Sequence, residues 1–554
     1  MTDLPAGDPA ADPAAAGILD ADELAVLATF GDVRAVEAGD VLYRAGDPAT
    51  DFFVVLAGEV EVLRAGGGGE VIVVHGPGRF LGELNLLTGQ THYVTARLAG
   101  PGEVLVVPQA AFRRLMSSKP DLADVIFNTL SARRALLGVA EAAWAFRIVG
   151  SRFSREAMAL RGFATRSRVA HTWSDIEDEP NPEAFLAALG LGPSDLPAVT
   201  TPTGPLRRAT PAELGERLGL TYRSVPGYIF DLVVVGTGPA GLAAAVYGAS
   251  EGLDTVSIDG VAIGGQAGAS SRIENYVGFP NGISGSDLVS QAAIQAQRLG
   301  ARLNAPCRAT ALRSDGDFHV VVLEDGSEIP TRAVIVASGA RYRRLPVDDL
   351  ERFEGAGVYY AATDLEARVC SGQDVVVIGG GNSAGQAAIY LAQQGSPVTL
   401  AIRGDNLGKD MSHYLVDRIE SDPRITVART TQVRALAGES HLATVVLEHT
   451  PTGARRTLAC SGLFCFIGAE PATAWLGGEV ALDADGFVLT DRSLPEAVVR
   501  TSFAGREPLL FETSVMGVFA VGDVRHGSMK RVAAAVGEGS SAVRLVHEHL
   551  ATSA

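Results

Sequence analysis

The chain reads as a multidomain α/β protein: an N-terminal β-roll with helices, a small α/β module, then two three-layer α/β domains, the second inserted in the first. Three observations predict this. Two glycine-rich turns, GTGPAG at Gly236 to Gly241 and GGGNSA at Gly379 to Ala384, each follow an apolar strand and open a helix. Short apolar runs broken by Gly-rich turns fill Val36 to Val107, the texture of an all-β unit. Between these regions, Phe146 to Leu220 reads as a compact alternation of strands and helices.

With 554 residues, 47% of them hydrophobic and 20% charged, the chain is long enough for three or four cores of ordinary size. Its 64 acidic against 46 basic side chains give a net charge of −18, which disfavours nucleic acid or an anionic membrane as main partner. Four cysteines, Cys307, Cys370, Cys460 and Cys465, form no disulfide framework and suit a reducing cytoplasm. Cys465 lies in the apolar run LFCFIG and reads as core, and no Cys-x-x-Cys occurs anywhere. A basic-then-apolar leader and a membrane-length apolar run are both missing, so a soluble, cytoplasmic protein is expected. No metal site is nominated.

Residues 1–20, rich in Ala, Pro and Asp, are expected to be a disordered tail. Residues 21–145 combine the β unit with helical periodicity in AFRRLM and ADVIFNTLSARRALLGVAEAAWAF, with Pro120 in a first turn. The segments EAGDVLYRAGD, FFVVLAGEVEV and FLGELNLLTGQTHYVTA resemble a cyclic-nucleotide-binding domain. The last of them is similar to the family's phosphate-binding cassette at Gly82, Glu83, Leu84, Leu86, Leu87, Thr95 and Ala96. The resemblance implies that Glu83 holds a ribose hydroxyl, but the place of the family's phosphate-binding Arg is taken by His92. A side chain half neutral near pH 7 replaces a permanently charged fork and weakens anion binding. A scaffold for packing or dimerisation is expected; a ligand at Gly82, Glu83, His92 and Thr95 is the alternative.

Residues 146–222 resemble a small glutaredoxin or thioredoxin-like fold, with strand FRIVG, a helix through Met158 to Thr165, a second strand in VAHTWSDIE, and Pro197 in the place of that family's cis-proline. Ser154-Arg155-Glu156-Ala157 stands at the nucleophile's position. A serine hydroxyl forms no mixed disulfide, so a docking or spacing module is expected.

From Phe230 the string reads strand, tight turn, helix, strand, with Asp259 standing 18 residues after Gly241. Gly236 allows the sharp turn, Gly238 lets the backbone approach a pyrophosphate at the helix start Pro239-Ala240, and Gly241 lets helix pack on sheet. Asp259 is placed to accept ribose hydroxyls. Further segments resemble the low-molecular-weight thioredoxin reductases: IGGQ at Ile263 to Gln266, IENYVGFP at Ile273 to Pro280, VIVASGA at Val334 to Ala340, GVFAVGDV at Gly517 to Val524 and KRVA at Lys530 to Ala533. The resemblance implies FAD, with Gly265, Gln266 and Asn275 lining the isoalloxazine and Gly339 in the same cradle. It also implies that Gly522 and Asp523 close over the ribityl chain and pyrophosphate, and that Lys530, Arg531 and Val532 cap the ring. Residues 228–346 and 466–554 form this expected FAD-binding domain.

Residues 347–465 are the expected NADPH-binding domain, a second Rossmann-like unit whose loop uses Gly379, Gly381, Asn382, Ser383 and Ala384, the last a small residue permitted in place of Gly. Arg403 at the end of its second strand replaces the acid that selects NAD and offers a cation to a 2′-phosphate. Thioredoxin reductases carry paired arginines here and a third downstream, whereas this chain has Arg403, Gly404, Gly408 and Lys409. Ala361-Ala362-Thr363-Asp364 stands where that family has Cys-Ala-Thr-Cys. The expectation is an NADPH-oxidising flavoprotein, homodimeric by resemblance, whose electrons leave to a small molecule or redox protein. No side-chain acid or base is nominated; Asp364 and His526 read as ordinary polar residues. Thioredoxin or ferredoxin reduction, and a ligand- or redox-sensing regulator, are the alternatives.

Overall fold

A computed structural model describes residues 17–64, 69–82, 86, 91–92, 94–141, 146–169, 171–201, 204–270, 272–316, 318–503 and 506–552. Glu83, Leu84 and Leu87 of the nucleotide cassette lie outside the described residues. Helix Ala21–Ala28 is closed at its start by a reciprocal cap between Asp20 and Glu23. Two four-stranded antiparallel sheets follow. One runs in the order Asp32–Val36, Gly102–Pro108, Asp51–Ala57, Phe80–Leu81, and the other in the order Val41–Tyr43, Thr95–Leu98, Val60–Leu63, Val71–His75. Helices Gln109–Ser118 and Pro120–Glu141 pack on the first sheet through Phe112, which stacks on Phe52 at 4.7 Å. Pro120 opens the second of these helices, where its missing N–H is no loss.

The next unit centres on strand Arg147–Gly150, paired parallel with Thr172–Asp175 and antiparallel with Ala198–Thr200. Helix Arg155–Arg166 is N-capped by Ser154, whose hydroxyl accepts from Ala157 N at 3.2 Å. The Leu196–Pro197 peptide is cis.

Beyond it, a seven-stranded sheet has a parallel core of Arg302–Asn304, Thr255–Ile258, Phe230–Val235, Glu328–Val336 and Val518–Ala520, with an antiparallel hairpin on Glu328–Val336. Strands covered on both faces are apolar throughout, as Val375–Ile378 shows in the following five-stranded parallel sheet, where all four side chains are buried. The chain crosses between the two sheets twice. The crossings pair with each other as strands Ala340–Tyr342 and Ala469–Pro471, a narrow two-stranded link. Among the described residues no helix is long and apolar enough to cross a membrane.

Candidate active site

The first phosphate turn is built by steric necessity. Gly236 has φ 108° and a Cβ there would stand 2.2 Å from Ala337 O; one on Gly241 would stand 1.8 Å from Gly236 O. Gly238 is different. It caps helix Pro239–Ser250, and no heavy atom lies within 3.9 Å of where its Cβ would be, so its backbone faces open space at the positive end of a helix. Ala240 packs under helix Val532–Thr552, where Gly539 leaves room for Ala240 O.

Asp259 serves the loop itself. Its carboxylate accepts from Thr237 N at 3.0 Å and Thr237 Oγ1 at 2.9 Å, and from Val261 N at 3.0 Å and Ala262 N at 3.3 Å. A ribose hydroxyl would share oxygens that already take four donors. Gly265, with φ 56°, lies against Gly238, since a Cβ on it would meet Gly238 Cα at 2.7 Å. The Gln266 side-chain amide donates to Ala340 O, tying the loop to the inter-sheet link, while Asn275 is exposed. Gly339 has φ 65° and open space around it.

Gly522, with φ 71°, donates its N–H to Glu538 Oε2 at 2.7 Å, and Arg525 holds that carboxylate at 2.6 Å. Burial pushes the Asp523 carboxyl above its ordinary range, with Lys530 pulling it back. Lys530 places its ammonium 4.5 Å from the Phe487 ring, Arg531 is exposed, and Val532 begins helix Val532–Thr552. The enclosed Ser528 hydroxyl, between Asp523 and Lys530 in sequence, has no hydrogen-bond partner among the described residues. An open helix start and an orphaned hydroxyl fit an FAD molecule lying along this edge of the sheet.

The second cradle repeats the geometry. Gly379 has φ 138°, where a Cβ would stand 2.3 Å from Phe466 O; Gly381 caps helix Asn382–Gln393 with nothing nearer than 4.0 Å. Ala384 is fully buried and Ser383 exposed, and Asn382 accepts from Ser412 N at 2.7 Å. Arg403 stands exposed just past strand Val398–Ala401, with no partner among the described residues, and Lys409 is exposed on the next turn. These residues fit NADPH.

No cysteine stands in the segment Ala361 to Asp364, and the four cysteines of the chain are free and buried. Thr363 accepts no electrons; it caps helix Asp364–Val369, its N–H bonding Glu366 at 2.9 Å. Burial pushes the Cys307 thiol up to about 11 and those of Cys370, Cys460 and Cys465 to about 12, so none is a thiolate near neutrality. His526 bonds Asp483 at 2.6 Å on the surface.

Three residues went unnoticed in the sequence. Glu538 and Ser528 carry no local signature. Tyr342, pushed up to about 12 by burial and by the charge of Asp523, stands two residues after the VIVASGA segment, and an aromatic at that exit was the available signal.

In the N-terminal unit, His92 corrects the expectation of a half-charged side chain. It is 2% exposed, stacks on Tyr43 at 3.8 Å, and burial lowers its pKa to about 4 against the opposing pull of Asp47. Thr95 Oγ1 accepts from Ala45 N at 3.1 Å, and Gly82 has φ 117°. His75 is lowered to about 3, chiefly by burial. Both histidines bind more protons unfolded than folded between these values and 6.5. Their contribution is therefore full above pH 6.5 and is lost as pH falls toward 4 and 3. The expected result is that acidification from pH 7 to 4 unfolds this unit first, by a few kcal/mol, read as early loss of protection in hydrogen exchange.

Residues 230–539 match the pyridine nucleotide-disulphide oxidoreductase family, and residues 33–119 match the cyclic nucleotide-binding domain. Thioredoxin reductase of Streptomyces clavuligerus is 33% identical over 58% of this chain and 94% of its own length. A 34.2 kDa protein in the rubredoxin operon of Clostridium pasteurianum is 29% identical over 58% of this chain and 97% of its own. The crystal structure of Lactococcus lactis thioredoxin reductase in its FR conformation superposes with a TM-score of 0.52 at 28% identity, covering 58% of this chain and 99% of that one. Two dinucleotide cradles on one sheet-plus-insert frame, matched over more than half the chain, place this protein in the pyridine nucleotide-disulphide oxidoreductase family, as an NADPH-dependent, FAD-containing oxidoreductase of the thioredoxin reductase type that also carries a cyclic nucleotide-binding domain.

Proposed function

We propose that this enzyme passes electrons from NADPH to an acceptor outside the chain, without a protein disulfide of its own. The observation that carries this reading is the sulfur-free segment Ala361 to Asp364 together with four buried cysteines. Bound FAD supplies the two-electron relay between nicotinamide and acceptor. The chain's residues orient and shield: the helix starts at Pro239 and Asn382 hold diphosphates, and Arg403 with Lys409 attracts a 2′-phosphate. The two-stranded link Ala340–Tyr342 and Ala469–Pro471 is a suitable hinge for residues 347–465 to swing over the flavin.

The module of residues 146–222 we read as a degenerate thioredoxin-like unit, supported by its strand order. It touches both sides of the hinge. Gly215 packs against Pro306, while Arg155 lies 3.6 Å from Glu354 and Phe153 stacks on His441 at 4.9 Å. The cassette end is also attached to it, through Thr91 N to Leu218 O at 3.1 Å. A docking role suits these contacts. A cyclic nucleotide finds a neutral, covered His92 where an Arg would be, so the N-terminal domain serves here as a scaffold.

Anaerobic stopped-flow reduction tests the donor. NADPH is expected to bleach the flavin faster than NADH, and Arg403→Ala to weaken NADPH about tenfold while leaving NADH unchanged, since a charged hydrogen bond to phosphate is lost. Equal rates for both nucleotides in the wild type refute the role of Arg403. Reoxidation by oxygen, quinones, ferredoxin and thioredoxin then ranks acceptors; rapid turnover with thioredoxin overturns the disulfide-free reading.

A further inference from the structure

We propose that Arg166, at the end of helix Arg155–Arg166 in the module of residues 146–222, completes the FAD cradle by donating to the cofactor's diphosphate. Its Nη2 already donates to Ala262 O at 3.1 Å and Gly265 O at 3.0 Å, two carbonyls of the loop that lies against Gly238. A guanidinium has five N–H groups in a fixed fork. Here Nε is enclosed, and neither it nor Nη1 has a hydrogen-bond partner among the described residues.

Among the described residues no carboxylate forms an ion pair with this cation. Asp259 acts on it electrostatically, yet the Asp259 oxygens are taken by Thr237, Val261 and Ala262. A partly buried arginine with unused donors and no counter-ion is costly unless an anion joins it. Through the Ala262 and Gly265 carbonyls Arg166 sits at the loop that lies against Gly238, at the start of helix Pro239–Ser250. The anionic part of an FAD at that helix start is its diphosphate, and a bidentate fork matches phosphate oxygens. A fused module without thiol chemistry thus gains a chemical task within the flavin site.

The test uses the full-length chain, stripped of flavin and refilled, with FAD and ADP as probes and flavin fluorescence and calorimetry as readouts. Arg166→Gln is expected to weaken FAD and ADP alike, by about tenfold or more, since ADP shares the diphosphate and lacks the ring. Arg166→Lys should recover part of that loss, and the midpoint potential of the flavin that remains bound should not move. Unchanged affinity for both probes overturns the proposal. So does weakening of FAD alone, which would place the effect at the ring, and so does an equal drop in thermal stability of the flavin-free protein that Lys fails to relieve, which would leave Arg166 a purely structural clamp.

Discussion

Gly241→Ala is expected to leave the protein nearly free of flavin. The added methyl would stand 1.8 Å from Gly236 O, a backbone atom that cannot rotate aside, so helix Pro239–Ser250 must move off the sheet. Overpacking of this kind costs about 1–3 kcal/mol or more, and the displaced helix start no longer meets the diphosphate. Loss of FAD affinity by about tenfold to a hundredfold follows if that strain falls on the site. Gly238→Ala separates the two effects. Nothing in the protein lies within 3.9 Å of its new methyl, so the fold keeps its stability while the pyrophosphate loses its approach. Thermal unfolding of both flavin-free variants, beside flavin-to-protein absorbance ratios, checks this; a yellow, fully loaded Gly241→Ala protein contradicts it.

Glu512→Ala is expected to cost the FAD-binding half about 3–5 kcal/mol, the range for stripping one partner from a buried ion pair. Glu512 is completely buried and accepts from Arg506 at 2.9 Å twice, from Leu509 N at 2.8 Å and from Gly517 N at 3.1 Å. Alanine orphans all of these donors next to strand Val518–Ala520, which ends in the Gly522 turn. Arg506 is 38% exposed, so water recovers part of the loss and the lower end of the range is expected. Urea unfolding followed by flavin release measures it; Glu512→Gln, which keeps the volume, should lose less.

The glycine turns were legible because only glycine satisfies φ 108° at Gly236 and φ 138° at Gly379, and a backbone demand of that kind shows in sequence as residue type. The strand and helix texture around them was legible for the same local reason. Asp259 was legible as an acid, while its engagement by Val261 and Ala262 depends on how the following loop folds back. His92 sits in a Thr-His-Tyr run with no periodicity to show which face is inward, so its burial on Tyr43 was beyond reach. Arg166 was invisible because its partners Ala262 and Gly265 lie on another domain, and a contact between modules leaves no pattern in either.

The most direct test counts electrons. Anaerobic titration of the purified holoenzyme with NADPH should complete the bleaching of its visible band at one nucleotide per FAD, because the proposed route gives the flavin no disulfide to pass its electrons to. A requirement for two nucleotides per FAD would reveal a second redox centre and contradict the account.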